Sequence, residues 1–145
     1  MDFFSAMDIS ASALTAERTR MNLISSNLAN ANSTRTAEGG PYRRKDAVFT
    51  ATPAPAPGSF GAALGKAAQA RGVEVSQIAE DQTPPRLQYE PSHPDADPQG
   101  YVAYPNVNVV EEMADMISAS RSYEANVTAA QAAKSMALKT LELMR

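Results

Sequence analysis

Apolar residues in the last 38 positions, Asn108 to Arg145, recur in alternating steps of three and four. Met113, Met116, Ser120, Tyr123, Val127, Ala130, Lys134, Ala137, Leu141 and Met144 fall on this spacing. A repeat of about 3.5 residues is the seam of a coiled coil. The stretch holds no Gly and no Pro, so it predicts one continuous helix, roughly 55 Å long at ~1.5 Å per residue. That is too long for the core of a compact domain of this size and implies an extended partner. Asn108 is the expected N-cap, with Glu111 three residues on as in a capping box. Glu111, Glu112 and Asp115 suit the positive helix start, and Lys139 and Arg145 suit its negative end.

Residues 1–38 also lack Gly and Pro. Met7, Leu14, Met21 and Leu28 recur every seven residues, with Ile24 and Ala31 between them and Ser10 and Glu17 interrupting. This predicts a second helix with the same period. Asp2, Ser5 or Asp8 is placed to cap it, and it should fade near Asn30-Ala31-Asn32-Ser33-Thr34, where turn formers gather.

All seven Gly and all ten Pro lie between Gly39 and Pro105. The chain therefore reads as an N-terminal helical arm (1–38), a Pro/Gly-rich, β-rich middle (39–105) and a C-terminal helical arm (106–145). In the middle, Arg43–Thr50, Val73–Ile78, Arg86–Tyr89 and Tyr101–Tyr104 predict short strands. Residues 51–72 predict a flexible Ala/Pro/Gly segment. The expected fold class is mainly α with a small β-rich middle. Its long terminal helices pair as an antiparallel coiled coil, with an irregular β domain inserted between them.

Both seams are weak. Ser10, Glu17, Ser120 and Lys134 occupy seam positions and many others are Ala. A buried Leu or Met contributes ~1.5–3 kcal/mol, and a two-helix contact with so few of them barely offsets the ordering entropy. The arms either close as a hairpin within one chain or pair with helices of other subunits. The weak seams favour more than one neighbour. The seam residues Met7, Leu14, Met21, Ile24, Leu28, Met113, Met116, Tyr123, Val127, Ala130, Ala137, Leu141 and Met144 are the expected assembly interface.

Composition narrows the chemistry. Over 145 residues, 43% are hydrophobic but only 6% aromatic, so a core for a single copy would be thin. The net charge of −3 argues against nucleic acid as a partner. Acid is concentrated from Val73 to Asp115, with nine carboxylates against the single base Arg86, while Arg43-Arg44-Lys45 forms a basic run. These read as solvated loops of opposite sign or as complementary subunit contacts. The absence of cysteine excludes disulfides, zinc–thiolate sites and Cys nucleophiles. No stretch is apolar enough for membrane insertion, and Met1-Asp2-Phe3-Phe4 lacks a basic n-region, so no cleaved Sec signal is expected. The one histidine lies in His93-Pro94-Asp95-Ala96-Asp97-Pro98, where a metal site, and an enzyme built on it, would need rigid, convergent ligands that a Pro-rich turn does not supply. No catalytic constellation or cofactor site is found.

Ser25-Ser26-Asn27-Leu28-Ala29-Asn30-Ala31-Asn32-Ser33 resembles the S-N-N-L-A-N-x-N-T signature of the flagellar rod and hook proteins. Ser26 and Ser33 depart mildly from it. Asn27, Leu28, Ala29 and Asn30 carry the motif, and its Asn residues are suited to bonding local backbone at a helix end. Gly40-Pro41-Tyr42-Arg43-Arg44-Lys45, His93-Pro94-Asp95-Ala96, Gly100-Tyr101-Val102-Ala103-Tyr104-Pro105-Asn106-Val107-Asn108 and Ser120-Arg121-Ser122-Tyr123-Glu124-Ala125-Asn126 extend the resemblance over nearly the whole chain. Glu112 to Ile117 does the same. The resemblance implies a structural subunit of the proximal rod of the flagellar basal body, in the periplasm, exported by the flagellar type III apparatus without a cleaved signal. It implies polymerisation through the terminal helices into a hollow tube that transmits torque and forms part of the export channel. Its partners would be its own copies, other rod proteins and the adaptor at the membrane ring. The competing classes are another type III-secreted helical subunit (a different rod, needle or translocon protein) and the metal-dependent enzyme centred on His93.

Overall fold

The computed structural model describes residues 3–52 and 72–143. The order is α1 (Phe3–Ala29), β1 (Lys45–Ala51), β2 (Val73–Glu80), β3 (Arg86–Tyr89), β4 (Tyr101–Tyr104) and α2 (Val109–Leu143). The fold class matches the sequence reading: two long terminal helices enclose a small β middle of two two-stranded sheets, β1–β2 and β3–β4. The expected flexible segment lies almost wholly outside the described residues, as does Met144.

Polar residues inside the helices are absorbed locally. Ser10, Thr15 and Thr19 donate to carbonyls four residues back in α1, and Asn126, Thr128 and Thr140 do so in α2. This satisfies hydroxyls and amides without unwinding the backbone. At the start of α2, Asn108 Oδ1 accepts the Val110 N–H at 3.1 Å. The cap is therefore made, and the helix then runs without a Gly or Pro to stop it.

The chain divides into two compact units. One contains 1–19, 48–77 and 120–145; the other contains 20–47 and 78–119. Each joins a segment of α1 to a segment of α2. The early part of α1 groups with the late part of α2, and the late part of α1 with the early part of α2, which is the antiparallel pairing.

In the first unit the buried apolar residues are the small Ala16 and Ala133. Ser12 ties α1 to the start of β2: its Oγ donates to Ile9 O and accepts the Val73 N–H at 3.0 Å. Gly72 lies so close that a Cβ there would sit 2.7 Å from Ser12 Oγ. In the second unit, Ile24, Ala31, Val102 and Ala119 form the apolar core around the polar residues Asn27 and Glu112.

The β1–β2 pair is antiparallel, with Asp81 N–H donating to Arg44 O at one end and Thr52 N–H to Gly72 O at the other. In β3–β4, Arg86 faces Tyr104, Leu87 Ala103, Gln88 Val102 and Tyr89 Tyr101. Gly100 enters β4 with φ +86°, and a Cβ on it would meet Tyr89 Cε2 at 2.8 Å. Only glycine fits both the backbone and the space.

The seam within the chain is rotated from the expected one. Along α2 Glu112, Ala119 and Ala133 are buried, and Asp115, Met116, Ser120, Ser122, Tyr123, Asn126, Val127, Ala130 and Ala137 are half-buried. Met116, Ser120, Tyr123, Val127, Ala130 and Ala137 are shared with the expected set. The fully buried positions fall one residue earlier than Met113, Ser120 and Lys134. Small Ala at 119 and 133 lets another backbone approach closely, so the larger Met113 and Ile117 turn outward, each 54% exposed.

Candidate functional site

Where α1 ends, Asn27 is 1% exposed and engages every hydrogen-bonding position of its side chain. Its Nδ2 donates to Lys45 O at 2.8 Å and to Glu112 Oε2 at 3.0 Å. Its Oδ1 accepts the Lys45 N–H and the Tyr42 hydroxyl, both at 2.9 Å. The amide thus pairs with both backbone groups of Lys45 as a neighbouring strand would. It also reaches α2.

Glu112, also 1% exposed, receives Arg44 Nε at Oε1, 2.6 Å away. Arg44 further approaches Asp46 at 3.4 Å and Asp115 at 3.7 Å. Burial opposes the Arg44 charge, but the hydrogen bond and charge of Glu112, with Asp46 behind them, outweigh it and raise the guanidinium pKa above its ordinary value. Asn27, Lys45, Arg44, Tyr42 and Glu112 form one polar clamp joining the end of α1, the start of β1 and the first turn of α2. A buried carboxylate is tolerated there because its oxygens have charged and amide donors.

Asn30 does separate work. Its Nδ2 donates to Ser26 O and its Oδ1 accepts the Ser33 hydroxyl, so it closes the helix end. Leu28 is half-buried and Ala29 exposed.

The other sequence-predicted residues spread along both helices. Ile24 is core; Leu14, Met21, Met116, Tyr123, Val127, Ala130 and Ala137 are half-buried; Met7, Met113 and Leu141 are exposed. Composition led us to miss the role of Glu112, which suited a helix start. Its place four residues before Met116 and seven before Ala119 was the available signal.

Part of the acidic stretch pairs with the basic run within the chain, through Arg44 and Lys45. Arg44 takes Glu112, Lys45 takes Glu80 at 3.3 Å, Arg43 donates to Gln82, and Arg35 approaches Asp95. His93 is a turn residue, with Nδ1 accepting the Asp95 N–H and its ring edge-on to Tyr104. Among the described residues no group of three or more potential ligands is arranged to hold a metal. No described helix is long and apolar enough to cross a membrane.

Comparison with known proteins adds to this geometry. Residues 7–35 match the family model described as flagella basal body rod protein, and residues 99–143 match flagellar basal body rod FlgEFG protein C-terminal. Those segments take in nearly all of α1 with the turn after it, and β4 with the whole of α2, and they define the class as flagellar rod proteins. Flagellar basal-body rod protein FlgC of Escherichia coli is 49% identical over 143 residues, covering 99% of this chain and 98% of the relative. The FlgC proteins of Bacillus subtilis and Borreliella burgdorferi are 45% and 43% identical, with 99% or more of each chain covered. The chain belongs to the FlgC family of flagellar basal-body rod proteins. It is a structural rod subunit of the basal body, not an enzyme.

Proposed function

We propose that this subunit builds the proximal rod by polymerising through α1 and α2 into a hollow axial tube. Residues 1–38 and 106–145 act as the assembly arms, and 39–105 is the part carried outside them. The carrying observation is the division of labour along α2. Its buried apolar positions are the small Ala119 and Ala133, while Val110, Met113, Ile117, Met136, Leu138, Leu141 and Leu143 remain exposed. So many uncovered large apolar side chains on one helix mark an interaction surface. Met7 on α1 belongs with them.

Its partners are further copies, other rod proteins and the adaptor at the membrane ring, reached after export by the flagellar type III apparatus to the periplasm without a cleaved signal. Torque is resisted by many small contacts, and the tube interior serves the export channel. Nothing in the fold favours a needle or translocon subunit.

The arms gain order on incorporation. Circular dichroism of the purified subunit at rising concentration tests this: helix content should increase as polymer forms. A dilute subunit already fully helical and stable would defeat the reading. Immunoblotting of isolated basal bodies, with loss of motility on deletion, tests the location.

A further inference from the structure

The β3–β4 hairpin has two faces of opposite character. Alternation puts Arg86, Gln88, Val102 and Tyr104 on one and Leu87, Tyr89, Tyr101 and Ala103 on the other. On the first face Val102 is fully buried, Arg86 and Gln88 are exposed, and the Arg86 guanidinium lies 5.9 Å from the centre of the Tyr104 ring. The second leaves Leu87 64% and Tyr89 63% exposed, with the Tyr101 ring edge-on to Tyr89 at 5.4 Å. The close fit of Tyr89 against Gly100 fixes this apolar patch in one shape.

The patch ends at an acidic corner. The connection from Glu90 to Gly100 carries Glu90, Asp95 and Asp97 and no Lys or Arg. Asp97 sits against Tyr101, accepting its N–H at Oδ1 and donating its own N–H to Tyr101 O.

The last third of α2 carries a complementary ridge. Leu138 and Leu141 are exposed and three residues apart, and Lys134 is four residues before Leu138 on the same helical face. Lys134 to Leu141 spans about 10 Å along a helix, and Leu87 to the acidic corner spans about 10 Å along a strand. With Leu141 over Leu87 and Leu138 over Tyr89 and Tyr101, the Lys134 ammonium reaches Asp97.

We propose that the outer face of the hairpin receives the carboxyl-terminal third of α2 from a second copy of this chain. This rests on the assembly reading above and names one of its contacts. Patch and ridge are different surfaces, so the contact is heterologous and propagates from copy to copy instead of closing a dimer.

The chain has no cysteine, so single Leu87→Cys, Leu141→Cys and Met136→Cys variants test it by disulfide cross-linking. Met136 is equally exposed but lies about half a turn from Leu141. Pairs of variants co-expressed in cells should yield a Leu87→Cys with Leu141→Cys cross-linked dimer in isolated basal bodies, in clear excess over Leu87→Cys with Met136→Cys. Adding Lys134→Glu should lower the yield by about three-fold or more, the scale of an exposed ion pair turned repulsive. Any of three results overturns the contact: no cross-link in basal bodies that contain the subunit, equal yield with Met136→Cys, or a cross-link only to a different rod protein. Absence of the subunit from basal bodies would instead defeat the assembly reading.

Discussion

Asn27 is the residue whose chemistry is least replaceable. Two donors and two acceptor positions are all used at once, and no other side chain of that length offers both. Asn27→Ala strands the Lys45 backbone groups and removes a donor from Glu112. We expect a loss of about 2–3 kcal/mol in urea unfolding. Asn27→Asp keeps the shape but sets a second carboxylate beside Glu112. Two carboxylates facing each other in a buried site repel, so Asn27→Asp should lower the urea midpoint at about pH 7 at least as far as Asn27→Ala does. Gly100→Ala forces both a left-handed backbone and a clash with Tyr89, costing about 1–3 kcal/mol. Its amide-exchange signature should centre on Tyr101 to Tyr104.

At the scale of elements, α2 separates residues buried against the rest of the subunit from large apolar residues left exposed. Ala119 is wholly buried, and Ala119→Leu overpacks the pairing with α1 at a cost of about 1–3 kcal/mol. Met113→Gln and Ile117→Gln touch exposed positions and should leave monomer stability within about 0.5 kcal/mol while lowering polymer yield in sedimentation. The helices and all four strands were legible in the sequence, because Gly and Pro punctuate the middle and leave both ends clean. The half-buried face of α2 takes in the expected seam positions Met116, Tyr123, Val127, Ala130 and Ala137 and adds the fully buried Ala119 and Ala133. Ranking positions by apolarity promotes Met113 and demotes Ala119, yet close backbone approach selects the smaller residue. The clamp was less legible still. Arg44 and Glu112 lie 68 residues apart, and a carboxylate near a helix start already has an ordinary explanation. Asn27 was visible as part of a family motif, but its reach to β1 and α2 was not, since a local bond at the helix end satisfied the same pattern. Asn30, three residues on, does make that local bond.

At the scale of the molecule, burial is uneven. The unit of 20–47 and 78–119 holds Ile24, Asn27, Ala31, Val102, Glu112 and Ala119 in its interior, whereas the other has Ala16 and Ala133 among its described residues. Local stability follows buried contacts and satisfied polar groups. Hydrogen exchange on the unpolymerised subunit should therefore be slower at residues 22–31 and 101–119 than at 5–19 and 122–143. Uniform protection along each helix would contradict this.

The clamp also bears on chemical ageing. Asparagine is among the residues most prone to slow spontaneous damage, and hydrolysis of its amide leaves aspartate. At Asn27 that reaction would install the carboxylate that the clamp tolerates least. Both amide protons and both oxygen positions are occupied, and the following Leu28 lies within α1, where its backbone is held in the helix. The same bonds that fasten two helices to a strand thus shield the amide from its own backbone.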